Sequence, residues 1–433
     1  MKRAIALSGG GSRGAYELGV WTALRENHID YQLVTGTSIG SLNGALMAQG
    51  DYELTNELWH TLTIDMVMED GINLEASIEA MLNQKGNLMP FLKKYVHYRG
   101  ADIGPLRDLL DRVIDEERLR ASEVDFGLVT VAFPSLKPLQ LTKAEIPQGE
   151  AKEYLLASAS CFPAFPMAKI DGKSYIDGGY YDNLPIGLAL RMGAEEVIAV
   201  DLNFTPAHPH DRNNPCVTYI KPSWDLGSIL LFEPGVMRRN ITLGYNDAQK
   251  AFGRYFGDRY TFCEYDAAGR WRKPAEGLAL CVARLEAELA GGNKNALLKS
   301  QLTPISDTLA QDTGGRKLTA FDYLTRSLEL GAELLGIDHL RVYGLRELAG
   351  LLMEELNPVS EQEETILRRL RAAKLPADVL AALRLVGERD LLRAAWHCLA
   401  AARSPEEELR FLSTVLPKEL AAVLGLWILA GEK

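Results

Sequence analysis

The sequence predicts an α/β protein with a mostly parallel sheet, followed by an all-helical C-terminal domain. Three observations carry this. Short β-rich runs alternate with helical stretches up to about residue 220, the pattern of a sheet built from strand–helix–strand crossovers. Two of those runs end in glycine-rich turns that lead directly into helical spacing. After about Tyr265 the strand candidates nearly vanish, and Leu, Ala, Glu and Arg dominate. The predicted division is residues 1–265 as an α/β domain and residues 266–433 as a helical domain.

Taken in order, Arg3 to Leu7 is the first strand candidate and runs into Ser8-Gly9-Gly10-Gly11-Ser12-Arg13-Gly14. Ala15 to Arg25 has helical spacing, with Leu18, Trp21, Ala23 and Leu24 on one stripe. Tyr31 to Val34 is the second strand, closed by Gly36-Thr37-Ser38-Ile39-Gly40, with a helix over Leu42 to Ala48. Asp51 to Val124 reads as a largely helical, acidic insertion over or beside the sheet. Further strands are expected at Gly127–Phe133, Ser174–Ile176, Val197–Leu202 and Cys216–Ile220. In the helical part, capping boxes are expected at Ser360-Glu361-Gln362-Glu363 and at Ser404-Pro405-Glu406-Glu407. Pro405 at the first helical position strengthens the second. Gly291-Gly292-Asn293 and Thr313-Gly314-Gly315 read as loops. Leu420 to Gly431, with Trp427, reads as a C-terminal core helix, with insertion into a membrane interface as the alternative.

Composition narrows the function classes. The chain has 433 residues and a net charge of −11, from 47 Lys+Arg against 58 Asp+Glu. Nucleic-acid binding needs a basic footprint, which this balance argues against. Five dispersed cysteines, with no Cys-x-x-Cys pair, read as reduced thiols in a cytoplasmic protein. The longest apolar run near the C-terminal end has 12 residues, short of the roughly 20 that a spanning helix needs. No zinc site or calcium loop is suggested, so no metal and no cofactor are expected.

Three short segments carry chemistry. Gly9 to Gly14 fits G-x-G-x-x-G between a strand and a helix, where backbone amides and the helix N-terminus converge on an anion. That anion is either a phosphate or the oxyanion of a tetrahedral intermediate; the plain alternative is a tight strand-to-helix turn. A dinucleotide site would want an acidic residue ending the second strand, and a P-loop would want Gly-Lys-Ser/Thr; neither is present. Gly36 to Gly40 fits G-x-S-x-G, a sharp turn that pushes a serine hydroxyl out over the sheet edge; the alternative is a serine N-cap. Ser174-Tyr175-Ile176-Asp177-Gly178-Gly179 ends a short strand in an aspartate beside two glycines, which on its own would be an ordinary Asp-Gly turn. A nucleophilic serine needs a base. Of the seven histidines none is a convincing partner, and His208 and His210 read as solvated residues of a Pro-rich loop.

Together, these three segments resemble the patatin-like phospholipase family, whose motifs are G-G-G-x-[R/K]-G, G-x-S-x-G and D-G-[G/A] in this order. The segment Ala157-Ser158-Ala159-Ser160-Cys161-Phe162-Pro163-Ala164-Phe165-Pro166 is similar to the family's A-S-x-A-x-P-x-x-F/Y-P, one variant away. Tyr181-Asp182-Asn183-Leu184-Pro185 is similar to its D-G-G-x-x-x-N-x-P continuation. The resemblance covers roughly residues 3–205 and implies a patatin-like three-layer fold. It implies a Ser–Asp dyad without histidine: Ser38 as nucleophile and Asp177 as base, with Ser41 next in line should Ser38 fail. Amides of Gly9, Gly10 and Gly11 would form the oxyanion hole. Arg13 would support the loop or meet a lipid phosphate, and Gly14, Gly36, Gly40, Gly178 and Gly179 complete the motifs. The implied activity is hydrolysis of a lipid acyl ester, of phospholipase A or lysophospholipase type, through an acyl-enzyme, with transient contact to a membrane surface. An acyltransferase using the same acyl-enzyme and a non-catalytic lipid-binding or scaffold protein are the alternatives.

Overall fold

A computed structural model describes residues 1–69, 101–203, 208, 211, 214–263, 267–291, 304–357, 361–372, 383 and 386–431. The chain divides into two compact units, Met1–Phe252 and Gly253–Lys433.

In the first unit the order is β1 (Arg3–Leu7), α1 (Ala15–Glu26), β2 (Leu33–Thr37), α2 (Ile39–Gln49), α3 (Tyr52–Thr61), α4 (Gly104–Val113) and α5 (Glu116–Ala121). There follow β3 (Asp125–Phe133), β4 (Lys137–Thr142), α6 (Ala151–Ser158), β5 (Ala168–Ile170), β6 (Lys173–Asp177), α7 (Ile186–Arg191), β7 (Glu196–Val200), β8 (Val217–Ile220) and α8 (Pro234–Ala251). The central ladder β3-β2-β1-β7-β8 is parallel throughout. Its strands read as near-continuous apolar runs because both faces are covered: Ala4, Ile5, Ala6, Val34, Val197 and Ala199 have no exposed surface. Antiparallel strands β4, β5 and β6 complete a mixed sheet around β3.

Several boundaries differ from the sequence reading. β2 begins at Leu33 and carries through Gly36 and Thr37, and α2 begins at Ile39, so the turn between them is the single residue Ser38. β4 and β5 carry weak strand signals: β4 has no buried residue and β5 has only three residues. In the stretch Asp51 to Val124, α3, α4 and α5 are helical, while residues 70–100 lie outside the described residues.

The arrangement that matters for function is set on β3. β2 runs parallel to it and ends with Thr37 opposite Val129. β6 runs antiparallel to it and ends with Asp177 opposite Thr130. β4 pairs with both Val129 and Thr130 along the other edge, so β2 and β6 share one edge and meet end to end. The residue after β2 and the last residue of β6 are therefore delivered to the same point.

The second unit contains β9 (Thr261–Phe262), α9 (Ala267–Arg270), α10 (Arg272–Gly291), α11 (Ile305–Ala310), α12 (Ala320–Leu335), β10 (Val342–Tyr343), α13 (Leu345–Leu356), α14 (Glu361–Ala372), α15 (Glu388–Ala400), α16 (Pro405–Val415) and α17 (Pro417–Ala430). It is helical apart from the two-residue parallel pairing of β9 with β10. That pairing explains why Gly253 to Cys263 goes with this unit. Helix α16 starts at Pro405, as the sequence predicts, but the Ser404 side chain makes no capping bond; the prolyl ring supplies the pre-set φ instead. The Thr319 side chain accepts from the Asp322 amide, and Asp322 answers back, a capping box missing from the sequence reading. Ser360 and Gly292-Asn293 lie outside the described residues. In α17 Leu420 to Leu426 are buried, while Trp427 and Ile428 are half-buried, so most of this helix is core. Among the described residues no helix is long and apolar enough to cross a membrane.

Candidate active site

Ser38 adopts φ 54° and ψ −128°, a conformation that L-residues rarely hold. Strain of this kind persists only where the surroundings enforce it, and here the two motif glycines do so. A Cβ on Gly36 would lie 2.1 Å from the Gly40 carbonyl oxygen, and a Cβ on Gly40 would lie 2.6 Å from the Leu7 carbonyl oxygen. The turn is thus closed by backbone against backbone, and no side chain fits. Ser38 occupies the N-cap position of α2 but makes no capping bond. Its hydroxyl instead lies near enough to the Asp177 carboxylate to favour the charged form of that group. The Ser38 amide donates to Ser158 Oγ (3.0 Å), and Ser158 Oγ donates to the Val129 carbonyl (2.7 Å), which anchors the turn to β3. Nothing in the sequence assigns Ser158 this role, because a small hydroxyl ending α6 carries no signal of which backbone it meets.

Asp177 is 3% exposed. Burial pushes its carboxyl up to about 6, against the Gly179 amide and the Ser38 hydroxyl, which both hold it down. The Gly179 amide donates to Asp177 Oδ1 at 2.7 Å. Gly178 passes so close to β3 that a Cβ there would lie 2.2 Å from the Val129 carbonyl oxygen. Ser41 is fully buried and donates to the Ser38 carbonyl (2.6 Å), so its hydroxyl is already engaged.

The glycine loop is pinned from several sides. The Gly9 amide donates to the Asn183 carbonyl (3.0 Å), and Asn183 Nδ2 returns a bond to the Gly9 carbonyl (3.0 Å). The Ser12 amide donates to the Ile229 carbonyl (2.8 Å), and the Arg13 amide to the Gly10 carbonyl (3.1 Å). Gly11 has φ +56°, and a Cβ there would lie 2.2 Å from the Ile229 oxygen. The Gly9 amide is therefore occupied within the fold, which differs from the expectation that it points at an oxyanion. The amides of Gly10 and Gly11 make no hydrogen bond among the described residues. Arg13 Nε donates to the Gly227 carbonyl (2.7 Å), tying the loop to the neighbouring segment. Gly14 packs against Ile39 and the Trp59 ring.

Ser38, Asp177, Gly9, Gly10 and Gly11 line one cavity, with a free volume of about 110 Å³. Most of its remaining wall is apolar, including Leu42, Leu46, Leu106, Leu110, Phe165 and Phe232, with the polar side chains of Asn43 and Asn183 beside them. Cys161 also lines it, but burial pushes its thiol up, so it stays protonated and is a poor nucleophile. His208 lies 3.5 Å from Asp182 Oδ1 and 3.5 Å from Asp211 Oδ2; His210 is outside the described residues. Among the described residues no cluster of three or more His, Cys, Asp or Glu could hold a metal ion.

A family model described as Patatin-like phospholipase matches residues 5–190. Lysophospholipase NTE1 of Mycosarcoma maydis is 28% identical over 203 residues, which are 47% of this chain and 10% of that protein. Patatin-like phospholipase domain-containing protein 6 of Homo sapiens is 28% identical over 201 residues, 46% of this chain and 13% of that protein. The match thus spans only about a tenth of the length of these curated relatives. Among solved structures, VipD from Legionella pneumophila aligns over 96% of this chain and 91% of that one, at 13% identity and a TM-score of 0.40, too distant to bear on the argument. The similarity to patatin-like phospholipases thus lies in residues 5–190, the part of the chain that holds Ser38, Asp177 and the glycine loop.

Proposed function

We propose that the chain is a serine acyl hydrolase that cleaves lipid acyl esters, of phospholipase A or lysophospholipase type, in a reducing compartment such as the cytoplasm. The observation that carries this reading is the meeting of a strained serine and a buried carboxylate, delivered by the adjoining ends of β2 and β6 to the wall of one largely apolar cavity. The five cysteines, all unpaired, support the compartment.

In this reading Ser38 Oγ attacks the acyl carbonyl while Asp177 takes the hydroxyl proton. A carboxylate raised to about 6 is a better base than one in water, yet still ionised at neutral pH. Charge developing on the carbonyl oxygen is met by the Gly10 and Gly11 amides, since the Gly9 amide is occupied. Collapse of the tetrahedral intermediate breaks the ester C–O bond, and Asp177 returns the proton to the departing alcohol. Water then attacks the acyl-enzyme with Asp177 again as base, releasing the fatty acid and regenerating Ser38. The acyl chain lies in the apolar cavity, along the face of α2 that carries Leu42 and Leu46. A lipid substrate accords with the names of the relatives, one of which is a lysophospholipase.

The test is product analysis by mass spectrometry of phospholipid and lysophospholipid vesicles treated with wild type or Ser38→Ala. Free fatty acid released by wild type alone supports the reading. Equal release by both, or by neither, rejects it.

A further inference from the structure

A buried polar trio lies between the glycine loop and the serine turn, and the reaction above makes no use of it. Asn43, on α2, donates through Nδ2 to the Gly14 carbonyl (3.1 Å) and to Glu17 Oε2 on α1 (2.7 Å). Its Oδ1 accepts from the indole Nε1 of Trp59 on α3 (3.0 Å). Both amide donors and an acceptor site are thereby used, so the amide has one orientation. Asn43 is 5% exposed, and Glu17 and Trp59 are each 2% exposed. The second oxygen of Glu17 has no hydrogen-bond partner among the described residues. Burial pushes the Glu17 carboxyl well above the usual carboxylate range, which favours the uncharged form.

The position of this trio gives it a consequence. β1 and β2 are in register up to Leu7 opposite Gly36, and beyond those residues the two strands no longer pair with each other. The turn after β1 holds the Gly10 and Gly11 amides and the turn after β2 holds Ser38. Asn183 ties the near end of the glycine loop at Gly9. Asn43 ties its far end at Gly14 from the helix that Ser38 begins.

We propose that Asn43 is a positioning residue for acyl transfer: it sets the spacing between the Gly10 and Gly11 amides and the Ser38 hydroxyl, with Trp59 and Glu17 locking its amide. This rests on the reading of Ser38 and the glycine loop given above. A misplacement of about 1 Å between reacting groups can cost about 10²-fold in rate.

The experiment uses the full chain with a short acetyl aryl ester, whose acyl group is too short to reach Leu46 along α2, and compares Asn43→Ala, Trp59→Phe, Glu17→Ala, Glu17→Gln and Ser38→Ala. Each variant is checked for folding by circular dichroism and melting. Expected are a kcat loss of about 100-fold for Asn43→Ala and about 10-fold for Trp59→Phe, with KM within about threefold and the acidic limb of the pH profile unmoved. Glu17→Gln, which keeps the acceptor, regains most of what Glu17→Ala loses. Should Asn43→Ala fail to fold, Trp59→Phe decides, because it removes one N–H and little volume. Folded Asn43→Ala and Trp59→Phe with kcat within about threefold of wild type, or losses confined to KM, overturn the proposal while an inactive Ser38→Ala leaves the nucleophile standing. An active Ser38→Ala overturns the underlying reading and this proposal with it.

Discussion

Replacing Asp177 with asparagine should inactivate the enzyme and stabilise the protein at neutral pH, with both effects arising from one cause. The Asp177 carboxyl is 3% exposed and titrates at about 6, some two pH units above its value in an unfolded chain. The folded state therefore holds the proton more tightly than the unfolded state does. Below about pH 3 both states are protonated, and the group's contribution is fully present. As pH rises through 6 the folded protein must bury a charge, and that contribution is lost. At about 1.4 kcal/mol per unit, the native state forfeits ~3 kcal/mol between pH 3 and pH 8. The amide of Asp177→Asn cannot ionise, so the variant escapes this loss. It still accepts from the Gly179 amide through its carbonyl oxygen. The assay is urea unfolding of wild type and Asp177→Asn at pH 4.5 and pH 7.5, beside aryl-ester hydrolysis from pH 5 to 9. The stability gap should open by ~2 kcal/mol between these two pH values, and wild-type kcat/KM should fall about tenfold per unit below pH 6. A variant that is less stable than wild type at pH 7.5, or a wild-type rate flat down to pH 5, would refute the reasoning.

Other expectations follow from the same geometry. His208→Ala should keep activity within about threefold, because His208 sits between Asp182 and Asp211 rather than on Ser38; a loss above 100-fold would make a histidine the base. Gly36→Ala should cost about 1–3 kcal/mol or more and abolish hydrolysis, since its Cβ would meet the Gly40 carbonyl oxygen at 2.1 Å; a wild-type melting temperature would contradict the closed turn. Leu46 lies eight residues along α2 from Ser38, about 12 Å at 1.5 Å per residue. Leu46→Phe should therefore lower kcat/KM for dodecanoyl esters at least about tenfold more than for acetyl esters, and an unchanged ratio would place the acyl chain elsewhere.

What is legible in the sequence is local. A glycine run after an apolar strand, or a serine between two glycines, states its own turn, because only glycine tolerates the close approaches at Gly11, Gly36 and Gly40. The parallel core strands announce themselves as apolar runs. Contacts made across the fold are not legible. Asp177 reads alone as an ordinary turn residue; its meeting with Ser38 depends on β2 and β6 ending opposite Val129 and Thr130. The hold of Ser158 on the Ser38 amide spans 120 residues, and that of Asn183 on Gly9 spans 174. No local pattern encodes either. For the same reason Gly9, identical in sequence context to Gly10 and Gly11, reads as a third anion donor, although its amide is bonded to the Asn183 carbonyl. Ser404 shows the converse: the pattern of a capping box is present, and the helix starts where it says, without the bond that names it.

The central claim is that Ser38, activated by Asp177, is the nucleophile. Its most direct measurement is covalent labelling of the full chain with a fluorophosphonate, read by intact mass and by mapping the modified peptide. The account predicts one adduct per chain, on Ser38, absent in Ser38→Ala and formed at least about 100-fold more slowly in Asp177→Asn. An adduct on another residue, or equal labelling of wild type and Ser38→Ala, would contradict it.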